Sequence, residues 1–273
     1  MSVTAALAER PPPRARGWPR SRVIGYAMVG FWILFGLGIV AYLIFAWNAD
    51  FFAKYAPAYL KGLQTTLLLV CISMVLGAIL SVPVAYGRMS SNRILSGLAY
   101  CYVYFFRGTP LLVQTYLVYY GLGSFRAELQ TVGLWDFFKD AFNCGVFAFA
   151  LNTAAYQAEI LRGAIESVPR GQWEGAASLG LHKLQTLRKI ILPQALIVAL
   201  RPYGNELILM VKASAIVAII TVYDLMGQAK LAFANSFDIQ AYIWVALVYL
   251  VMVEILRHGV EWIERRITIH LKR

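Results

Sequence analysis

Charge is scarce in this chain. Asp, Glu, Lys and Arg together make up 14% of its 273 residues, against about 25% in a soluble globular domain. With 60% hydrophobic residues gathered in long blocks, this excludes an ordinary soluble fold and points to segments that cross a bilayer. Negative charge is scarcer still: 14 acidic residues stand against 25 basic ones, a net charge of +11. Such a balance would suggest a nucleic-acid partner only if the basic residues shared one solvated face. Here they gather at the ends of apolar blocks, the pattern that sets membrane orientation. The three cysteines, Cys71, Cys101 and Cys144, are odd in number, lie in or beside apolar blocks and form no Cys-x-x-Cys pair. Neither a disulfide framework nor a thiolate metal site is supported. His182, His258 and His270 are scattered and make no metal set. No Gly-x-x-x-x-Gly-Lys-Ser/Thr loop is present to cradle phosphates, so the chain is not expected to hydrolyse ATP. An embedded enzyme would need an Asp-rich diphosphate motif or paired histidines, and a channel a repeated filter or ring of like charge; the sequence contains none of these.

What is present predicts an all-α polytopic membrane protein with about six transmembrane helices. Residues 1–22 form a basic tail with Pro11-Pro12-Pro13 and Arg10, Arg14, Arg16, Arg20 and Arg22, a composition expected to stay disordered. The apolar run 23–47 is much longer than a signal-peptide core of about 7–15 residues and reads as an N-terminal span. Further spans are expected near 63–86, 94–122, 142–161, 193–222 and 240–262, with connectors around Asn48–Pro57, 123–141 and Asp224–Asp238, and a basic tail at 265–273. In the second span, Ser73, Gly77 and Ser81 recur every four residues and make a small-residue stripe for close helix packing. The third is interrupted by Arg107-Gly108-Thr109-Pro110; an intramembrane break must face protein or water. Placing both termini in the cytoplasm puts most of the basic residues inside, including Arg88, Arg93, Arg162, Arg170, Lys183, Arg188 and Lys189. Only Lys54, Lys61, Arg126, Lys139 and Lys230 are then outside, as the positive-inside rule requires.

The loop 162–190 is the most distinctive stretch. It contains Gln172-Trp173-Glu174-Gly175-Ala176-Ala177-Ser178-Leu179-Gly180 and leads into Ile190-Ile191-Leu192-Pro193. Leu181, Leu184 and Leu187, followed by Ile190 and Ile191, recur at helical spacing, so a short amphipathic helix with a basic face is expected over 178–189. The small residues at 175–178 would let another surface approach closely, and Pro193 suits the first turn of the next helix. The spacing Glu-Ala-Ala, three residues, Gly, nine residues, Ile, one residue, Leu-Pro resembles the cytoplasmic coupling loop of bacterial ABC importer membrane subunits. Glu174, Gly175, Ala176, Gly180, Ile190, Leu192 and Pro193 fall on it. Gly175 departs from the pattern by replacing the first Ala, which costs a helix about 1 kcal/mol. Glu174 has two compatible readings: contact with a partner, or charge placed in the first turn of a helix where the dipole favours it.

The resemblance extends over about four-fifths of the chain. Gly62-Leu63-Gln64-Thr65-Thr66, Arg107-Gly108-Thr109-Pro110-Leu111-Leu112-Val113-Gln114, Asn152-Thr153-Ala154-Ala155-Tyr156-Gln157-Ala158-Glu159 and Ser167-Val168-Pro169-Arg170-Gly171-Gln172 occur in the order found in polar amino-acid permeases, particularly those for histidine, lysine and arginine and for opines. The resemblance implies a five-helix permease domain over 59–264, preceded by an additional helix at 23–47, in the bacterial inner membrane. It implies a second permease subunit, two ATPase subunits and a periplasmic solute-binding protein as partners. No cofactor would bind this chain; ATP and Mg belong to the ATPase. The expected cargo is a cationic amino acid or an arginine-derived opine, the alternative being another polar amino acid such as glutamine or glutamate.

Ionisable residues within spans are functional candidates by default. Arg201, Asn205 and Lys212 fall on one face of a regular fifth-span helix, with Glu206 about 100° from Asn205. Asn152, Tyr156 and Glu159 share a face of the fourth. Asn205, Glu206, Asn152, Tyr156, Lys212 and Gln114 are therefore candidates for a polar solute path. The competing reading is interhelical bonding, with Glu206 paired to Lys212 or Arg201. Arg107 reads as a structural group beside the break, paired with loop carbonyls or lipid phosphate, the alternative being that it touches solute.

Overall fold

The computed structural model describes residues 19–45 and 47–268. Most of the N-terminal tail and the last five residues of the C-terminal tail lie outside the described residues. The chain divides into two units, Met1–Phe52 and Ala53–Arg273, and every element among the described residues is helical. Among the described residues, four helical segments are long and apolar enough to cross a membrane: Arg20–Phe45, Ala49–Arg88, Lys183–Ile220 and Gln240–Thr268.

Helix α1 (Arg20–Phe45) is the predicted N-terminal span. Helix α2 (Ala49–Arg88) is 40 residues long, about 60 Å at 1.5 Å per residue, twice the hydrocarbon thickness of a bilayer. The stretch read from the sequence as a connector around Asp50–Pro57 is thus part of a helix. Asn48 starts it by accepting the Phe51 N–H at 3.0 Å, and the helix continues through Pro57. Helix α3 (Arg93–Gly108) begins at Asn92, whose side chain accepts the N–H groups of Ile94 and Leu95. It stops at the predicted break: Thr109 and Pro110 are extended, and α4 (Leu111–Tyr116) restarts after Pro110 and runs into a π-turn at Leu117–Gly121. The next connector holds two short helices, α5 (Arg126–Thr131) and α6 (Trp135–Phe138).

Helix α7 (Ala141–Glu166), capped by Asp140, contributes more buried side chains than any other described helix. It also carries the polar residues Asn143, Asn152 and Gln157. The small-residue stripe of α2 packs on it. Ser73 Oγ donates to the Val146 carbonyl, and Gln157 Nε2 donates to the Met74 carbonyl at 3.2 Å. Gly77 lies so close to α7 that a Cβ there would clash with the Thr153 methyl. The loop after α7 folds into α8 (Arg170–Ser178), α9 (Lys183–Thr186) and a π-turn at Leu187–Ile191. Helix α10 (Leu192–Ala213), with Pro193 in its first turn, then continues into a 3₁₀ segment at Ser214–Ile220.

The stretch Asp224–Asp238, read as a connector, is largely a helix, α11 (Leu225–Ser236). Asp224 Oδ1 caps it by accepting the Gly227 N–H at 2.8 Å. Leu225, Ala229 and Ala232 are fully buried, while Thr66 on α2 accepts the Leu225 N–H. Helix α12 (Gln240–Thr268) closes the fold.

Candidate functional site

The loop after α7 has two distinct faces. Its inner face is built from Val168, Ala176 and Ile191, which are buried, with Trp173, Leu187 and Ile190 half-buried. These side chains join Ala85 of α2, Leu161 and Ile165 of α7 and Ala195 and Ala199 of α10 in one apolar cluster. The outer face presents Glu174, Gly175 and Ala177, together with Leu179 at 79% and Leu184 at 74% exposure. Gly180 ends α8. Its φ of +71° is open to glycine and costs an L-residue about 1–2 kcal/mol. This allows the Gly180 N–H to reach the Ala177 carbonyl at 2.9 Å and the Leu181 N–H to reach that of Ala176 at 3.1 Å, the paired bonds of a Schellman cap.

Two sequence expectations change here. The amphipathic helix expected over 178–189 forms only from Lys183, where α9 and the π-turn run without a break into α10; the left-handed turn at Gly180 separates it from α8, which the leucine spacing did not indicate. Glu174 is not in a first turn, since α8 starts at Arg170, so it does not cap the helix. At the loop's far end Ile190 and Leu192 are half-buried and Pro193 is exposed.

Within the helices, the candidate path residues separate into groups. Gln114 and Asn152, both buried, are bonded to each other, Asn152 Nδ2 donating to Gln114 Oε1 at 3.0 Å. Both also bind the helix break. Asn152 donates to the Phe106 carbonyl at 2.9 Å; Gln114 donates to the same carbonyl, to the Thr109 carbonyl and to Thr109 Oγ1. Two of the carbonyls at the interruption, those of Phe106 and Thr109, are thereby satisfied inside the protein, as an intramembrane break requires. Glu206 is 5% exposed and accepts a 2.9 Å bond from Thr153 Oγ1, which in turn accepts from Gln157. Neither Lys212 nor Arg201 pairs with it: Arg201 bonds Glu264 of α12 at 2.7 Å, and Lys212 is exposed with no ion pair within 4 Å among the described residues. Asn205, adjacent to Glu206, is exposed and lines a different cavity, between α10 and α12 with Arg201 and Arg257. The two neighbours therefore face different partners: Glu206 meets α7 and Asn205 the cavity beside α12. Tyr156 stands under the Arg107 guanidinium, 5.1 Å from ring centroid to Cζ.

The ionic cluster around Glu159 was not foreseen. Glu159 accepts from Arg88 Nε at 2.9 Å and Arg162 Nη2 at 2.8 Å, with Arg107 Nη1 3.9 Å away. Arg162 continues to Glu166 at 2.7 Å. One carboxylate thus ties together the end of α2, the end of α3 at the break, and α7 just before the loop. The Glu159, Arg162, Glu166 spacing is visible in the sequence as i,i+3 and i,i+4 pairs; the long-range arginines are not.

Helices suited to a bilayer, a polar seam with a satisfied helix break, and a loop whose inner face is anchored while its outer face is open define a membrane permease subunit. Residues 73–269 match the family described as the binding-protein-dependent transport system inner membrane component, and the chain belongs to that family. It is an all-helical polytopic inner-membrane component, and ATP hydrolysis resides on a separate nucleotide-binding subunit. The nopaline transport system permease protein NocM of Agrobacterium fabrum is 44% identical over 195 residues, covering 71% of this chain and 81% of that protein. The arginine ABC transporter permease protein ArtM of Escherichia coli is 34% identical over 213 residues, covering 78% and 96%. Among solved structures, an amino-acid ABC transporter crystallised with histidines superposes with a TM-score of 0.70 at 37% identity, covering 80% of this chain and 99% of the matched chain.

Proposed function

We propose that the protein carries cationic amino acids or arginine-derived opines through the inner membrane as one of two permease subunits. Two ATPase subunits and a periplasmic solute-binding protein complete the transporter. In this reading the chain crosses the bilayer six times, α3–α4 and α7 adding two spans to the four long apolar segments, with both termini in the cytoplasm. The loop from Glu174 to Pro193 then meets the ATPase with Glu174, Gly175, Ala177, Leu179 and Leu184. Its apolar inner face transmits movement to α7 and α10, because the same side chains pack on both.

The observation that carries the solute reading is the carboxylate of Glu206. It lies buried within a long apolar helix, bonded by Thr153, with Arg107 acting on it only through space and no ion pair within 4 Å among the described residues, and such a charge costs about 2.5 kcal/mol or more to insert. A guanidinium or ammonium group passing along the seam would supply a directly bonded positive partner. The arginine and nopaline transport proteins among its relatives support the same class. Gln114 and Asn152 hold the broken helix as the wall of that seam, Tyr156 stands next on the same face of α7, and Asn205 and Lys212 serve the outer side of α10.

Uptake of labelled arginine into proteoliposomes containing the complete transporter tests this reading. Arginine uptake should require ATP and the binding protein and be inhibited by lysine, histidine or opines but not by glutamate. Glu206→Gln should reduce uptake of the cationic solutes while leaving stimulation of the ATPase by the loaded binding protein. Unchanged uptake by Glu206→Gln would remove Glu206 from solute recognition; glutamine taken up in preference to arginine would overturn the cationic assignment.

A further inference from the structure

Arg107 is the least satisfied member of the Glu159 cluster. Arg88 and Arg162 hydrogen-bond Glu159 directly, whereas Arg107 approaches it only to 3.9 Å and rests on the Tyr156 ring. Its side chain is 43% exposed and borders a cavity of about 410 Å³ shared with Tyr156, Glu159, Gly163, Val198 and Pro202. That volume lies within the range of small-molecule pockets. A guanidinium offers five N–H donors in a planar fork that matches a carboxylate. On α10 the cavity wall runs through Pro202, and Glu206 follows one helical turn later.

We infer that Arg107 is a specificity-determining residue that receives the α-carboxylate of the transported amino acid in this cavity. The inference rests on the reading that the chain moves amino acids, but it concerns the end of the solute that all α-amino acids share, not the side chain that distinguishes them. Arg107 and Glu206 then form opposite poles of one path, the guanidinium for the carboxylate and the carboxylate for the cation. Tyr156 holds Arg107 toward the cavity through its ring face. Glu159, already neutralised by Arg88 and Arg162, leaves Arg107 free to take an incoming anion.

The test uses the purified complex of permease and ATPase subunits, without the binding protein, and measures equilibrium binding of labelled arginine in competition with argininamide, which keeps the cation and loses the carboxylate. Glutamine and its α-amide are run in parallel. The wild-type complex should prefer each acid over its amide by about tenfold or more, the scale of a charge-assisted bond. Arg107→Gln should lose that preference, and Arg107→Lys should retain part of it. Glu206→Gln should weaken arginine and argininamide equally. Wild-type binding that does not distinguish acids from amides overturns the Arg107 assignment, and needs no variant to fold. So does an assembled Arg107→Gln complex that keeps the full preference. Binding of glutamine but not arginine, with the acid preference intact and dependent on Arg107, would instead overturn the cationic reading and uphold this one.

Discussion

Replacing Gly77 by alanine tests the packing that positions Glu206. The added Cβ would clash with the Thr153 methyl and stand 3.0 Å from Gln157 Nε2 and 3.3 Å from the Ala154 backbone nitrogen. Both helices are long and their backbones cannot yield locally, so α2 and α7 must separate. Overpacking of this kind costs about 1–3 kcal/mol. The shift also strains the Thr153–Glu206 bond, and losing a hydrogen bond to a charged group adds about 1.5–3 kcal/mol. The expected loss is about 2.5–6 kcal/mol. At roughly 2–4 °C per kcal/mol for a chain of this size, the thermal unfolding midpoint in detergent should fall by about 5–24 °C. Gly97→Ala is the control: its Cβ would meet nothing within 4 Å, and alanine is better in a helix by about 1 kcal/mol. Adding Thr153→Ser to Gly77→Ala removes the clashing methyl and keeps the hydroxyl that serves Glu206, so it should recover at least half of the loss. A Gly77→Ala protein as stable as Gly97→Ala, or one that Thr153→Ser does not rescue, would refute the reasoning.

Two further outcomes are expected. Asn152→Ala removes the donor to Gln114 Oε1 and one of two donors to the Phe106 carbonyl; leaving such buried acceptors short should cost about 1–3 kcal/mol and speed proteolysis at Gly108–Pro110, both read on the purified protein. For orientation, an impermeant thiol reagent added outside spheroplasts of a cysteine-free background should label Ser124→Cys and not Ala177→Cys; the reverse would invert the topology.

The sequence revealed features that depend on local spacing. The stripe of Ser73, Gly77 and Ser81 and the break at Gly108–Pro110 were legible because small residues at every fourth position and a Gly/Pro pair have direct steric consequences. The loop's spacing was also legible, and the leucine period does fall on helix from Lys183 onward; it did not show the separate α8 or the left-handed turn at Gly180 that ends it. Helix α11 was missed because it is only 12 residues long and contains Gly, Gln, Lys and several Ala rather than a strong apolar stripe. Asp224, two residues before Met226 and capping Gly227, was the available signal. The helical period put Asn205 and Glu206 about 100° apart, but not which side met α7. The Glu159 cluster draws on Arg88 and Arg107 from other helices, and no local pattern brings those residues together.

The central claim is that the outer face of the 170–186 segment is where the ATPase acts. Gly180→Arg is a poor probe of it, since any side chain at φ +71° also strains the backbone. Ala177→Arg adds charge and bulk to an exposed helical position without that strain. The decisive measurement is ATP-driven arginine uptake by the complete transporter carrying Ala177→Arg, with membrane insertion, permease pairing and ATPase co-purification followed in the same preparation. Normal insertion and pairing, with loss of ATPase co-purification and uptake reduced at least about tenfold, the effect of some 1.4 kcal/mol at a contact, is the expected result. Wild-type uptake with the ATPase still bound would contradict the account.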